Sequence, residues 1–178
     1  MANNKGADWE RSTCKYLSKW CQGTEKPLLL WRGHGSGAMF TKDNLVGESF
    51  AGDIYSVREE GKIITDYVSI ECKNGYPKTT LDNHLKYNKK DPIKDFWIQT
   101  VNDATKTNKY PMLVFKKKSF KPWMATNKEF FNIFIDKLDD IRYIIIHYNE
   151  LPDMYLLSFE EFFERIDIEI WKSRLCID

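Results

Sequence analysis

Three charged residues stand where two apolar, strand-like runs begin or end. Asp53 directly precedes the run 54–57, and Glu71 and Lys73 close the next such run along the chain. Residues two apart on a strand point to the same face, so Glu71 and Lys73 emerge side by side while Cys72 points to the other face. A hairpin between the two runs would bring Asp53 close to Glu71. The spacing therefore predicts two carboxylates and one ammonium group at one end of a sheet.

Two neighbouring carboxylates favour a divalent cation, because their mutual repulsion raises a pKa unless a cation intervenes. Mg²⁺ takes oxygen ligands, keeps several waters and needs only one or two carboxylates, and the backbone carbonyl of Cys72 could add another oxygen. Lys73 would help to deprotonate or orient a metal-bound water, and phosphodiester hydrolysis requires these groups. The alternative for Glu71 and Lys73 is a surface ion pair that contributes under about 1 kcal/mol.

The order of these motifs resembles a known superfamily. Gly52-Asp53-Ile54 followed by Ile70-Glu71-Cys72-Lys73 is similar to the motif of PD-(D/E)XK nucleases, and the similarity covers roughly residues 5–116. Gly52 stands where the motif has proline. We expect this departure to be tolerated, because the residue only shapes the chain.

The resemblance is closest to Holliday-junction resolvases of the archaeal and phage-like kind. Their first helix carries a Lys-Gly-x-x-φ-Glu-Arg pattern, where φ is apolar, and residues 5–11 match it as Lys-Gly-Ala-Asp-Trp-Glu-Arg. Their first strand leads into an Arg-x-x-Gly-Ser-Gly segment, and residues 32–37 match it as Arg-Gly-His-Gly-Ser-Gly. The resemblance therefore implies DNA as the substrate.

The resemblance also implies a catalytic role for each matched charged residue. Asp53 and Glu71 would bind the metal together with the Cys72 carbonyl, and Lys73 would position the attacking water. Glu10, on the first helix, would complete the acidic cluster directly or through water. The alternative for Glu10 is a helix-surface acid beside Arg11.

Three further residues are candidates for substrate binding. Ser36 would contact a backbone phosphate from a glycine-rich turn, in which main-chain amides can approach an anion; a plain flexible turn is the alternative. Arg32 would pair with a phosphate or form a surface salt bridge. In several branches of the superfamily a glutamine sits beside the active-site lysine, and Gln99 has that place in the chain order; otherwise it is a surface glutamine.

The predicted elements indicate an α/β fold. A helix over 6–21, a strand at 28–31, the hairpin, a helix beginning at Pro92 and a strand from Tyr110 give a restriction-endonuclease-like αβββαβ core. We expect a mixed central sheet flanked by helices, with C-terminal α/β additions that include one helix from Ser158 to the C-terminal segment. The chain is expected to form a single nuclease domain over residues 1–178, with its core at about 5–118 and an extension at about 119–178.

Composition limits the partners and the compartment. The net charge is +1, but lysines and aromatic residues are interleaved between 73 and 121 while the C-terminal third is acidic, which indicates either a phosphate-facing surface or a solvated lysine-rich face. The four cysteines show no CxxC pattern, so we expect free thiols rather than a zinc site. The polar N-terminus and the lack of a long apolar run predict a cytoplasmic protein with no membrane association.

These features together predict a Mg²⁺-dependent DNA endonuclease in which Mn²⁺ substitutes for Mg²⁺ and no organic cofactor takes part. Branched DNA is the expected substrate and a homodimer the expected assembly, both by analogy with resolvases. One alternative is a sequence-specific endonuclease of restriction or homing type, with base recognition by residues 120–178. The others are a non-catalytic nucleic-acid-binding module and an interaction protein with an aromatic interface.

Overall fold

The computed structural model describes residues 5–33, 52–74, 91–117 and 120–176. Its strands are β1 (Leu30–Arg32), β2 (Ile54–Ser56), β3 (Val68–Asn74), β4 (Tyr110–Lys116), β5 (Trp123–Thr126), β6 (Tyr143–Ile146) and β7 (Met154–Ser158). Its α-helices are α1 (Lys5–Gln22), α2 (Lys62–Thr65), α3 (Pro92–Thr107), α4 (Lys128–Phe134), α5 (Phe159–Arg165) and α6 (Ile168–Leu175).

A mixed five-stranded sheet forms the centre of the molecule, with the strand order β3-β4-β5-β7-β6. Strands β3 and β4 run parallel, and the remaining neighbours are antiparallel. Helices α1, α4, α5 and α6 pack on one face and α3 packs on the other. The expected α/β class with a mixed sheet flanked by helices is therefore confirmed, and it is compatible with a restriction-endonuclease-like core.

Local sequence accounts for the ends of the two long helices. Helix α1 stops at Gly23, which adopts a φ of +78° and donates its N–H to the Lys19 carbonyl over 2.7 Å. Helix α3 begins after Asp91, whose carboxylate accepts from the backbone N–H groups of Ile93 and Lys94, with Pro92 in the first turn. These helices lie on opposite faces of β3 and border the candidate site.

The predicted hairpin between the runs that contain Asp53 and Glu71 is wrong. Strand β2 pairs antiparallel with β1, with Trp31 opposite Tyr55, and forms a separate two-stranded sheet. The predicted turn and the start of the second run form a 3₁₀ turn (Glu59–Gly61) and helix α2. Ile64 in this helical turn is fully buried in the core, and the turn links β2 to β3.

The C-terminal third contributes β5, β6 and β7 to the central sheet, as its predicted strands indicated. The predicted single helix after Ser158 is wrong, because it divides into α5 and α6. Ile166 between them is extended and fully buried, and Asp167 caps the second helix by accepting from the N–H of Ile170 over 2.8 Å. The break lets Phe162 and Trp171 pack into one aromatic core.

Side chains from the first and last parts of the chain meet in that core. The indole N–H of Trp20 donates to the Ile166 carbonyl over 2.8 Å, and that of Trp171 donates to the Ile63 carbonyl over 2.7 Å.

The division into a core and an extension near residue 118 stays a prediction. All four cysteines are free. Within the described ranges, no helix has the length and hydropathy needed to cross a bilayer.

Candidate active site

Asp53 lies against the outer edge of β3. Its backbone N–H donates to the Ile70 carbonyl over 2.7 Å, and its Oδ2 accepts from the backbone N–H of Cys72 over 2.8 Å. The N–H and C=O of one strand residue point to the same side, so the Cys72 carbonyl also faces this edge. Asp53 thus reaches the neighbourhood of Glu71 without the expected hairpin.

Gly52 makes this close approach possible. It adopts a φ of +93°, and a Cβ at this position would lie 2.8 Å from the Ile70 carbonyl oxygen. Proline, with φ fixed near about −65°, cannot take this conformation. The glycine at the motif's proline position is therefore the residue that this path of the chain requires.

Glu71 is a buried acid, with 2 % of the residue exposed. Its Oε1 accepts hydrogen bonds from the ammonium group of Lys73 and, over 2.7 Å, from the side-chain amide of Gln99. Burial raises the pKa of Glu71 to about 7, with a further contribution from the negative charge of Asp53. The structure thus brings Asp53, Glu71, Lys73 and Gln99 together.

Helix α3 covers Lys73 and Glu71 from the sheet face opposite α1. The Lys73 ammonium lies 5.7 Å from the ring centroid of Phe96, one turn before Gln99. Asp103, one turn after Gln99, adds to the rise of the Glu71 pKa, and its Oδ1 pairs with the Lys106 ammonium at 2.8 Å. Phe96 and Asp103 were not predicted as site residues, although their helical spacing from Gln99 could have indicated them.

Glu10 on α1 and Arg32 on β1 form an ion pair with each other. The Nε of Arg32 lies 2.8 Å from Oε2 of Glu10. Burial raises the pKa of Glu10, and the charge of Asp53 raises it further, while Arg32 lowers it. The charge of Asp53 therefore acts on Glu10 as well as on Glu71.

Ser36 lies outside the described residues, as do Gly35 and Gly37 of the same turn. Much of the predicted basic surface also lies outside them, namely Lys78, Lys86, Lys89, Lys90 and Lys118. Among the described lysines, Lys116 places its ammonium 5.3 Å from the Trp9 ring centroid, and Lys121 pairs with Glu160 at 3.2 Å.

Comparison with known proteins supplies a family for this geometry. Residues 1–172 match the model of a family described as "Phage putative PDDEXK endonuclease". The chain belongs to this family. The match extends beyond residue 116, where the motif resemblance ends. The model of the phage PDDEXK endonuclease family therefore also covers the C-terminal strands and helices, up to residue 172. No protein of curated function and no solved structure matches the chain significantly.

The oxygen donors of this PDDEXK family member fit a hard divalent cation. Within the part of the chain that the structure describes, no group of three or more His, Cys, Asp and Glu side chains is arranged to hold a metal. Asp53, Glu71 and the Cys72 carbonyl nevertheless form an all-oxygen set, and Mg²⁺ is commonly bound by one or two carboxylates with waters completing its shell. Burial and the charge of Asp53 raise the pKa of Glu71. A cation bound beside Glu71 would offset both effects, because an opposite charge favours the ionised form of a buried acid.

Proposed function

We propose that this protein is a metal-dependent DNA endonuclease that hydrolyses phosphodiester bonds with Mg²⁺, for which Mn²⁺ can substitute. The observation that carries the proposal is the bond from the Cys72 N–H to Asp53, which holds one carboxylate beside the buried Glu71. Membership of a PDDEXK endonuclease family supports the reaction class.

Asp53, Glu71 and the Cys72 carbonyl would hold the ion. When bound, Mg²⁺ would neutralise charge on the phosphate and lower the pKa of a coordinated water. Lys73 and Gln99 both donate their hydrogen bonds to Oε1 of Glu71. This leaves Oε2 as the oxygen for the cation.

Lys73 is proposed to position the attacking water. Its ammonium is held between the Glu71 carboxylate and the Phe96 ring, at the same end of the sheet as Asp53. A lysine in this place can orient a water and stabilise negative charge on the phosphate. Gln99 would keep the Glu71 carboxylate in the orientation that leaves Oε2 available.

Glu10, Arg32 and Ser36 are proposed to act around this centre. Glu10 would complete the acidic cluster directly or through water, and the charge of Asp53 already acts on it. Arg32 is engaged by Glu10 in this structure, so its contact with a phosphate would require exchange of that partner. Ser36 would contact a phosphate next to the cut.

Branched DNA is the proposed substrate and a two-fold homodimer the proposed assembly. Both rest on the resolvase-like segments at residues 5–11 and 32–37. A two-fold dimer presents two identical sites, which suits two symmetrically placed cuts.

The proposal is tested by incubating the protein with a four-way junction and with a linear duplex of the same arm sequence, each in Mg²⁺ and in EDTA. Junction-selective cleavage that requires Mg²⁺ is expected. Cutting at fixed sites on the linear duplex would instead indicate a sequence-specific endonuclease. Binding of both DNAs without cleavage in Mg²⁺ or Mn²⁺ would contradict the enzymatic function, and the Asp53→Asn protein controls for contaminating nuclease.

A further inference from the structure

Strand β6 forms the edge of the central sheet that lies opposite β3. It pairs with β7 on one side, and among the described residues no strand pairs with its other side. Tyr143, Ile144 and Ile145 are large apolar residues that are 44 %, 42 % and 37 % exposed. An exposed apolar edge strand offers free backbone N–H and C=O groups to another strand.

The exposed strand is held in place by aromatic packing. The ring of Tyr143 lies 4.7 Å from that of Phe131 and 6.3 Å from that of Tyr155, measured between centroids. Ile146 at the end of the strand is buried. A partner strand would therefore meet a pre-organised edge, and little conformational entropy would be lost on this side of the contact.

Charged residues of opposite sign flank the strand. Arg142 precedes β6 and Glu150 follows it, and both are exposed. Neither makes an ion pair within the described ranges, whereas nearby charged or polar side chains have partners: Asp140 pairs with Arg165 at 3.6 Å, and the His147 ring is hydrogen-bonded to Asp153 at 2.9 Å. The edge thus carries an unpaired cation at one end and an unpaired anion at the other.

We propose that β6 is a homodimer interface, in which the β6 strands of two copies pair antiparallel about a two-fold axis. Antiparallel pairing sets the start of one strand beside the end of the other, which places Arg142 of each copy at the same end of the joined edge as the loop that carries Glu150 of the second copy. The same contact between opposite charges forms twice about the two-fold axis, so the edge is complementary to itself. The net charge of +1 opposes this association only weakly.

The pairing would join the two sheets into one. Because β3 lies at the opposite edge, both candidate active sites remain accessible in the dimer. The inference does not depend on catalysis, and it assigns a surface to the dimer proposed above.

Sedimentation velocity over a wide range of protein concentration tests the interface. The wild-type protein is expected to dimerise, and Ile144→Lys is expected to weaken the dimer roughly 100-fold, because a charged residue on an edge strand opposes pairing and the dimer would carry it twice. Val57→Lys is the matched control, since Val57 is another exposed apolar residue, 37 % exposed, and follows β2 far from this edge. Thermal melting confirms that each variant is folded.

Charge-reversal variants test whether the partner that pairs with β6 is a second copy of the protein. Arg142→Glu and Glu150→Arg are each expected to weaken the dimer roughly tenfold, and the double variant is expected to recover it. A second copy predicts this recovery, whereas a different partner does not. A wild-type protein that stays monomeric, a dimer that Ile144→Lys leaves intact, or a double variant no better than the singles would overturn the proposal.

Discussion

The Oδ2 atom of Asp53 accepts a hydrogen bond from the backbone N–H of Cys72 over 2.8 Å. This bond fixes a carboxylate at the edge of β3, beside the residue that separates Glu71 from Lys73. A short segment before β2 therefore completes a site whose other members lie on β3 and α3.

Loss of either acidic charge is expected to stop cleavage. Asp53→Asn keeps an oxygen that can accept from Cys72, and Glu71→Gln keeps the size of the side chain, so both proteins should fold. Cleavage should fall by roughly 1,000-fold or more, because both carboxylates are proposed metal ligands. Single-turnover cleavage assays measure the loss.

DNA binding by the same two variants is the control. Fluorescence anisotropy is expected to show nearly unchanged affinity, because the carboxylates carry no attractive charge for phosphate. If either variant cleaves at close to the wild-type rate, the assigned site is wrong.

Lys73→Ala is expected to slow the chemical step roughly 100-fold while metal affinity changes little. The ammonium group pairs with Glu71 but is proposed to act on the attacking water, not on the ion. Isothermal titration with Mn²⁺ separates the two roles. Abolished metal binding in this variant would refute the water-positioning role.

The stability of the metal-free protein is expected to decrease between about pH 4.5 and about pH 7. The pKa of Glu71 rises from 4.5 to about 7 in the folded protein, so the folded state binds a proton that the unfolded chain releases as pH rises. The free energy of unfolding should fall by about 1–3 kcal/mol across this window. Urea denaturation in EDTA at a series of pH values measures it.

Glu71→Gln isolates the contribution of this one acid to that profile. The variant cannot ionise at this position, so its loss of stability over the same pH window should be smaller. An unchanged slope would show that other groups, such as Glu10 with its raised pKa, cause the effect.

Gly52→Ala is expected to destabilise the protein by about 3 kcal/mol and to reduce cleavage with it. The added methyl group would meet the Ile70 carbonyl at 2.8 Å, on a backbone with a φ of +93°. Gly23→Ala is the matched control, because Gly23 also has a positive φ, +78°, but nothing lies within 4 Å of its added Cβ. That control should lose about 1 kcal/mol, and equal losses in denaturant unfolding would contradict the close-approach argument.

Local patterns were sufficient to predict that Glu71 and Lys73 emerge side by side and that a helix begins at Pro92. Both depend on residues that are neighbours in sequence, through strand alternation and the preference of proline for the first turn of a helix. Gln99 was placed beside the lysine by family resemblance, and its bond to Glu71 fits that placement. The association of Asp53 with Glu71 was also predicted, but from a hairpin that the chain does not form.

The features that were predicted wrongly or not at all are those that tertiary packing determines, rather than local sequence. The apolar pair Ile63 and Ile64 fits a strand or a single helical turn equally well, and only the path from β2 to β3 selects the turn. The partner of Arg32 is Glu10 from α1, which no spacing in the sequence indicates. Asp103 influences Glu71 only because α3 packs across β3 in this register.

The most direct test of the central claim is a crystal of this protein soaked in Mn²⁺ and measured at a wavelength where manganese scatters anomalously. One anomalous peak is expected within coordination distance of carboxylate oxygens of both Asp53 and Glu71, with the Cys72 carbonyl also facing it. A peak at a site that excludes these two residues, or a soaked crystal with no peak between them, would contradict the account.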